Sequence, residues 1–155
     1  MFPSRAGGPK HTFTINTMSL FGAFNQNPGT FNGLAWPLAK RVLYVPIRIP
    51  IPILVKQLYI GNGNTVAGNF DVGVYSLDGT KIASSGSTAQ SGTTQKQLVN
   101  VTDFLLGRGA FYMALTMDGT SGFIQRNSIT SVPSISAAGC LMEVTGSFGL
   151  PATAS

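Results

Sequence analysis

LYVPIRIPIPILV, residues 43–55, decides how this chain is read. Its odd positions, Leu43, Val45, Ile47, Ile49, Ile51, Ile53 and Val55, are all aliphatic, and Pro46, Arg48, Pro50 and Pro52 fall between them. A period of two places the aliphatic side chains on one face of an extended chain and leaves the other face to groups that water tolerates. Proline donates no backbone hydrogen bond and fixes φ near about −65°, so these prolines cannot sit deep inside a ladder. They mark an edge strand or a corner between two sheets, with one strand running into them and a second leaving them.

Working outward, strand patterns recur on the C-terminal side. Val42 to Ile49 and Leu54 to Ile60 flank the corner, and GNGN at 61–64 is a turn. Phe70, Val72 and Val74 alternate with Asp71, Gly73 and Tyr75, and Asp78-Gly79 turns the chain back into Lys81-Ile82-Ala83. The polar run from Ser84 to Gln95 is a surface loop with a short strand near its start. Gln97 to Val101 reads as a strand, and Thr102-Asp103 as the cap of a short helical turn through Phe104 and Leu105. Phe111, Met113, Leu115 and Met117 share a face of the second clear strand, which stops at Asp118-Gly119. A short strand at Phe123 to Arg126, a Ser-rich link and a last alternation at Met142, Val144 and Phe148 complete the pattern. About eight short strands separated by turns predict an all-β fold, an antiparallel two-sheet β-sandwich of jelly-roll type. The expected organisation is an extended N-terminal arm over 1–35, a sandwich domain over 36–149 and a C-terminal tail over 150–155.

Composition agrees with one β domain plus arms. The chain has 155 residues, 19 glycines and 9 prolines, and hydrophobic residues make up 43% against 10% charged. That favours strands and turns over long helices, in a chain long enough to bury a core without disulfides or metal. So low a charge leaves surface unprotected against association, which predicts that copies of the chain or another protein cover part of it. In the arm, Phe13, Ile15, Phe21, Phe24 and Phe31 are the candidate assembly contacts among Gly, Pro, Asn and Thr. The first ten residues, MFPSRAGGPK, show no apolar run with a cleavage site, so no secretory signal is expected there. Residues 43–55 are too short and too proline-broken for a membrane helix, so no membrane partner is expected.

The net charge is +5, from ten Lys and Arg against five acids. The cations are scattered singly apart from Lys40-Arg41, whereas a nucleic-acid footprint clusters them, so no nucleic-acid partner is expected. A mild positive field suits an acidic protein surface better.

Groups for catalysis are sparse. The single histidine, His11, and the single cysteine, Cys140, are too few for a zinc site or a nucleophilic triad, and no cofactor is expected. The acids Asp71, Asp78, Asp103, Asp118 and Glu143 fall in separate strands or turns; Asp78 and Asp118 are spent on Asp-Gly turns. A paired-carboxylate glycosidase site therefore lacks its parts. GNGNTVAG at 61–68 has neither the Lys-Ser/Thr nor the following helix of a phosphate-binding loop. The aromatic residues are more informative. Tyr44, Tyr59 and Tyr75 come from three strands and are expected, with Trp36, to line an outward face. Such a face serves as a subunit interface or as a platform for sugar rings, and the interface is preferred because no polar partners accompany the rings.

Residues 35–90, starting AWPLAKRVLYVP, together with VNVTDFLLGRGAFYMALTMDG at 99–119, resemble small β-sandwich structural proteins of tailed bacteriophages and prophages. The likeness rests on Trp36-Pro37, Tyr44-Val45-Pro46, the hairpin from Gly68 to Gly79, Gly86-Ser87-Thr88 and the strand from Gly109 to Leu115. It covers about half the chain and leaves out the arms. It implies a non-enzymatic virion protein made in the bacterial cytoplasm. The places it allows are capsid decoration or cement, a head or tail fibre, or a host-adsorption component that binds glycan. The expected partners are further copies, as a homotrimer, and major capsid or tail proteins.

Overall fold

The structure is a computed structural model, and it describes residues 15–16, 33–125 and 141–154. The elements are β1 (Ile15–Asn16), β2 (Leu34–Ala35), β3 (Arg41–Ile49), β4 (Ile53–Gly61), β5 (Asn69–Ser76), β6 (Lys81–Ser84), β7 (Thr88–Ala89), β8 (Lys96–Leu106), β9 (Gly109–Met117), β10 (Phe123–Ile124) and β11 (Leu141–Val144). The described residues contain no helix. The larger sheet has the order β11-β3-β9-β5-β6, with β7 also on β5; a second sheet runs β1-β4-β8, and β10 pairs β2. Every pairing is antiparallel except that of β1 with β4.

The proline stretch is a corner between the two sheets. β3 pairs with β9 as far as Ile49 opposite Gly109, and β4 starts its pairing with β8 at Ile53 opposite Leu106. One antiparallel ribbon therefore folds over at 50–52 on one strand and at 107–108 on the other, passing from the larger sheet to the smaller. Pro46 lies inside β3, opposite Tyr112. Among the described residues β11 pairs only from Arg41 to Tyr44, so no described strand asks for the N–H that Pro46 lacks on that side. Leu43, Val45 and Ile49 point into the core as the alternation predicts, and so do Ile53 and Val55, but Ile51 sits at the tip of the bend, exposed.

The main core lies between the sheets. Phe70, Val72 and Val74 of β5 and Met113, Leu115 and Met117 of β9 meet Val55, Leu58 and Ile60 of β4 and Leu106 of β8. Each such side chain contributes about 1.5–3 kcal/mol when fully withdrawn from water. Trp36 closes one end, its Nε1–H donating to the Arg41 carbonyl at 3.1 Å and its N–H to Gly122.

The helical turn expected at 102–105 is instead strand. Val55 faces Phe104 but Gln57 faces Asn100, so Lys56 stands opposite a bulge of 101–103. The inward set changes parity there, from Val99 and Val101 to Phe104 and Leu106 on β8 and from Val55 to Leu58 on β4. A bulge inserted into a period of two leaves a spacing of three, which in sequence resembles a helix. The bulge is spanned by Lys56 Nζ and Asp103 Oδ2, 3.2 Å apart, and by Gln57 Nε2 donating to Asn100 Oδ1 at 2.7 Å.

Candidate functional site

The outer face of the larger sheet carries a group of buried polar contacts. Alternation opposite the core-facing set places Val42 and Tyr44 of β3, Asp71, Gly73 and Tyr75 of β5, and Tyr112, Ala114 and Thr116 of β9 on this side. The face is covered by residues 149–154. Leu150 packs on Val42, Tyr44, Tyr75 and Ala114 in a second apolar cluster, with Ala154 at its margin. Backbone bonds hold the covering segment down: Lys81 N–H donates to the Ala152 carbonyl and Ala154 N–H to that of Gly79. Side chains complete the attachment: Leu150 N–H donates to Asp71 Oδ2 at 2.9 Å, Tyr75 Oη to the Pro151 carbonyl at 2.6 Å, and Lys81 Nζ to the Leu150 carbonyl at 2.7 Å. Gly73 is needed beneath it, since a Cβ there would come 2.6 Å from the Ala83 carbonyl oxygen and 2.7 Å from Leu150 Cδ1.

The four aromatic residues expected on an outward face are buried, with exposures of 1% for Trp36, 2% for Tyr44, 7% for Tyr59 and 0% for Tyr75. Tyr44 and Tyr75 do share a face, with ring centroids 5.2 Å apart at 86°, but the C-terminal segment covers that face. Tyr59 belongs to the other sheet, where Lys96 Nζ stands 4.9 Å from its ring centroid. Strand alternation fixes which side a ring takes; it does not reveal that a segment as distant in sequence as Pro151, 76 residues beyond Tyr75, folds onto that side. Of the arm residues, only the backbone of Ile15 is described, beside Leu58 of β4; Phe13, Phe21, Phe24 and Phe31 lie outside the described residues, as do His11 and Cys140.

Both carboxylates on this face are committed to structure. Asp71, 3% exposed, also accepts from Ser85 Oγ at 3.3 Å, and Glu143 Oε2 accepts from Tyr44 Oη at 2.8 Å. Burial, followed by the hydrogen bond to Glu143, pushes the Tyr44 phenol far above its ordinary range, and burial does the same for Tyr75. Both therefore stay protonated near neutral pH and act as hydrogen-bond donors, not as tyrosinate nucleophiles. Asp78 closes its hairpin by accepting from Ser76 Oγ and Thr80 N–H, bonds that hold its carboxyl below the usual range. Asp118 accepts from Asn69 Nδ2 at 2.8 Å.

At the end of the sandwich away from the proline corner lies an amide network that the sequence reading did not single out. Asn62 Nδ2 donates to Gln97 Oε1, Gln90 Nε2 donates to Asn62 Oδ1 and the Phe123 carbonyl, and Ala67 N–H donates to Gln90 Oε1 at 2.9 Å. It ties the 61–68, 89–97 and 122–125 segments together. Its only sequence signal is that Asn and Gln recur where loops converge. Among the described residues no group of three or more His, Cys, Asp or Glu is placed to hold a metal ion, and no helix is long and apolar enough to cross a membrane.

No protein family, curated protein or solved structure matches this chain.

Proposed function

We propose that this chain is a structural protein of a tailed-phage virion. It is a jelly-roll-type subunit on the outside of the capsid, without enzymatic activity, that associates with itself as a trimer and binds neighbouring coat subunits. The observation that carries this reading is aliphatic surface on a chain with few charges: Leu105 is 68% exposed, Leu77 61%, Val144 60% and Ile51 53%. Exposed aliphatic side chains in such number are what association buries. The commitment of the tyrosines and acids to internal bonds supports a structural role over a chemical one. The resemblance to phage sandwich proteins supplies the setting, and the arm over 1–35 supplies contact area along a neighbour.

The test is the mass in solution, by light scattering, of the full chain and of a version starting at Leu34. A trimer that dissociates on losing the arm is the expected result. A monomer in both cases overturns the assembly reading.

A further inference from the structure

The two outer faces of the sandwich differ in cover. Residues 149–154 lie over the larger sheet, where Tyr44 and Tyr75 are buried. The smaller sheet instead turns leucines to water: Leu98 is 50% exposed, Leu54 37% and Leu105 68%. All three are on one face. The inward side of these strands is taken by Ile53, Val55 and Leu58 on β4 and by Val99, Phe104 and Leu106 on β8. Alternation on either side of the bulge then leaves Leu54, Tyr59, Leu98, Asn100 and Leu105 on the opposite, outward side.

Ladder register arranges this face in rows along β8. Leu98 lies opposite Tyr59, Asn100 accepts a hydrogen bond from Gln57, Lys56 and Asp103 are 3.2 Å apart, and Leu105 lies opposite Leu54. The cation and the anion at the centre are paired with each other, and Lys96 at the margin stands over the Tyr59 ring. A face whose central charges are closed internally does little to steer a partner of either sign. It suits a copy of itself: leucine rows meet leucine rows without repulsion, and an amide, which both donates and accepts, pairs with the same amide. The arm also joins the sandwich here, since β1 runs along β4 in this sheet, Ile15 opposite Leu58 and Asn16 opposite Tyr59.

Area sets what the face can do alone. β8 has 11 residues, so a face of its length and two to three strands wide offers about 350–550 Å². A stable standard interface takes about 800 Å² from each partner, so further contact, such as that of the arm, has to complete this one.

From this we infer that the outer face of the smaller sheet, centred on Leu98, Asn100 and Leu105 of β8, is the contact between copies of this chain. The inference rests on the proposed self-association and gives it a location: faces turned towards a common axis bring each row against its own copies.

Two measurements on the full chain test it. Leu98→Lys with Leu105→Lys puts like charges into the face of every copy and raises the concentration at which the oligomer half-dissociates, by light scattering, at least about tenfold. Leu38→Lys with Leu141→Lys adds the same charge at exposed leucines of other elements and leaves that concentration unchanged within about twofold. Leu98→Cys, in a chain carrying Cys140→Ser, is joined to its own copy by a short bismaleimide, since facing sheets stand about 10 Å apart. Leu141→Cys in the same background is not joined. Circular dichroism checks that each variant folds; should the lysine pair unfold the chain, the cysteine result decides alone.

An oligomer indifferent to the Leu98/Leu105 lysine pair overturns the inference, and so does equal weakening by the Leu38/Leu141 pair. Dissociation by the lysine pair without any Leu98→Cys cross-link also overturns it, assigning the face to an arm or to another protein. An oligomer that dissociates on losing the arm yet ignores the lysine pair sinks this inference alone. A dimer that cross-links through Leu98 upholds the face and sinks the trimer alone. A chain that is monomeric at every concentration sinks the assembly reading and this inference with it.

Discussion

Replacing Asp71 with alanine tests whether the C-terminal segment is an integral part of the fold. Asp71 is buried, and its Oδ2 is the acceptor for Leu150 N–H at 2.9 Å, while Oδ1 accepts from Ser85 Oγ at 3.3 Å. Removal leaves a buried N–H without a partner, at a cost of about 1–3 kcal/mol, and the bond lost is charge-assisted, which places the cost in the upper half of that range. Leu150 is 5% exposed and packs on Val42, Tyr44, Tyr75 and Ala114, so any loosening also forfeits apolar burial. The expected destabilisation is about 2–4 kcal/mol in urea unfolding at neutral pH, read as a lower midpoint at unchanged slope. Hydrogen exchange localises it: the Leu150 amide is protected in the parent chain and exchanges freely in Asp71→Ala. Asp71→Asn retains an acceptor oxygen and costs about 1 kcal/mol. The reasoning is refuted if Asp71→Ala shifts stability by less than about 0.5 kcal/mol, the usual effect of a surface substitution, or if Leu150 stays protected.

Three further outcomes are expected. Gly68 has φ +71°, and a Cβ there would come 2.3 Å from Asp118 Oδ1; Gly68→Ala should cost about 1–3 kcal/mol, a drop of several degrees in Tm. Gln90→Ala leaves Asn62 Oδ1 and Ala67 N–H without these bonds, while the Phe123 carbonyl keeps the one from Gly63 N–H; unfolding should show a loss of about 2–4 kcal/mol, and a near-neutral result would mean that water replaces the amide. Tyr44, Tyr59 and Tyr75 all have phenol pKa values raised above the ordinary 10.0. The folded state therefore holds these protons longer than the unfolded state, so their stabilisation is intact below about pH 10 and is lost as pH rises above it. Ultraviolet titration should find these three phenols still protonated above pH 10 until the protein unfolds, and phenolate absorbance from these three at the ordinary pH would contradict the burial.

The amino-acid sequence by itself determined the β class and much of the strand layout. Alternation in 43–49, 70–74 and 111–117 depends only on the two-residue period of an extended chain, and that period survives into the structure. The prolines at 50 and 52 likewise fix a corner through a local property, their missing N–H. What tertiary structure decided was which side of each strand is covered. Tyr44 and Tyr75 are opposite the aliphatic set, as alternation requires, yet residues 149–154 bury them, because an acceptor on Asp71 and a donor on Tyr75 meet a segment distant in sequence. The bulge opposite Lys56 reversed the facing of Phe104 and Leu106, and only pairing with β4 reveals it. The convergence of Asn62, Gln90 and Gln97 follows from strand order and register. Local preference sets how a segment is shaped; which segments become neighbours is set by the free energy of burying them together, a property of the whole chain.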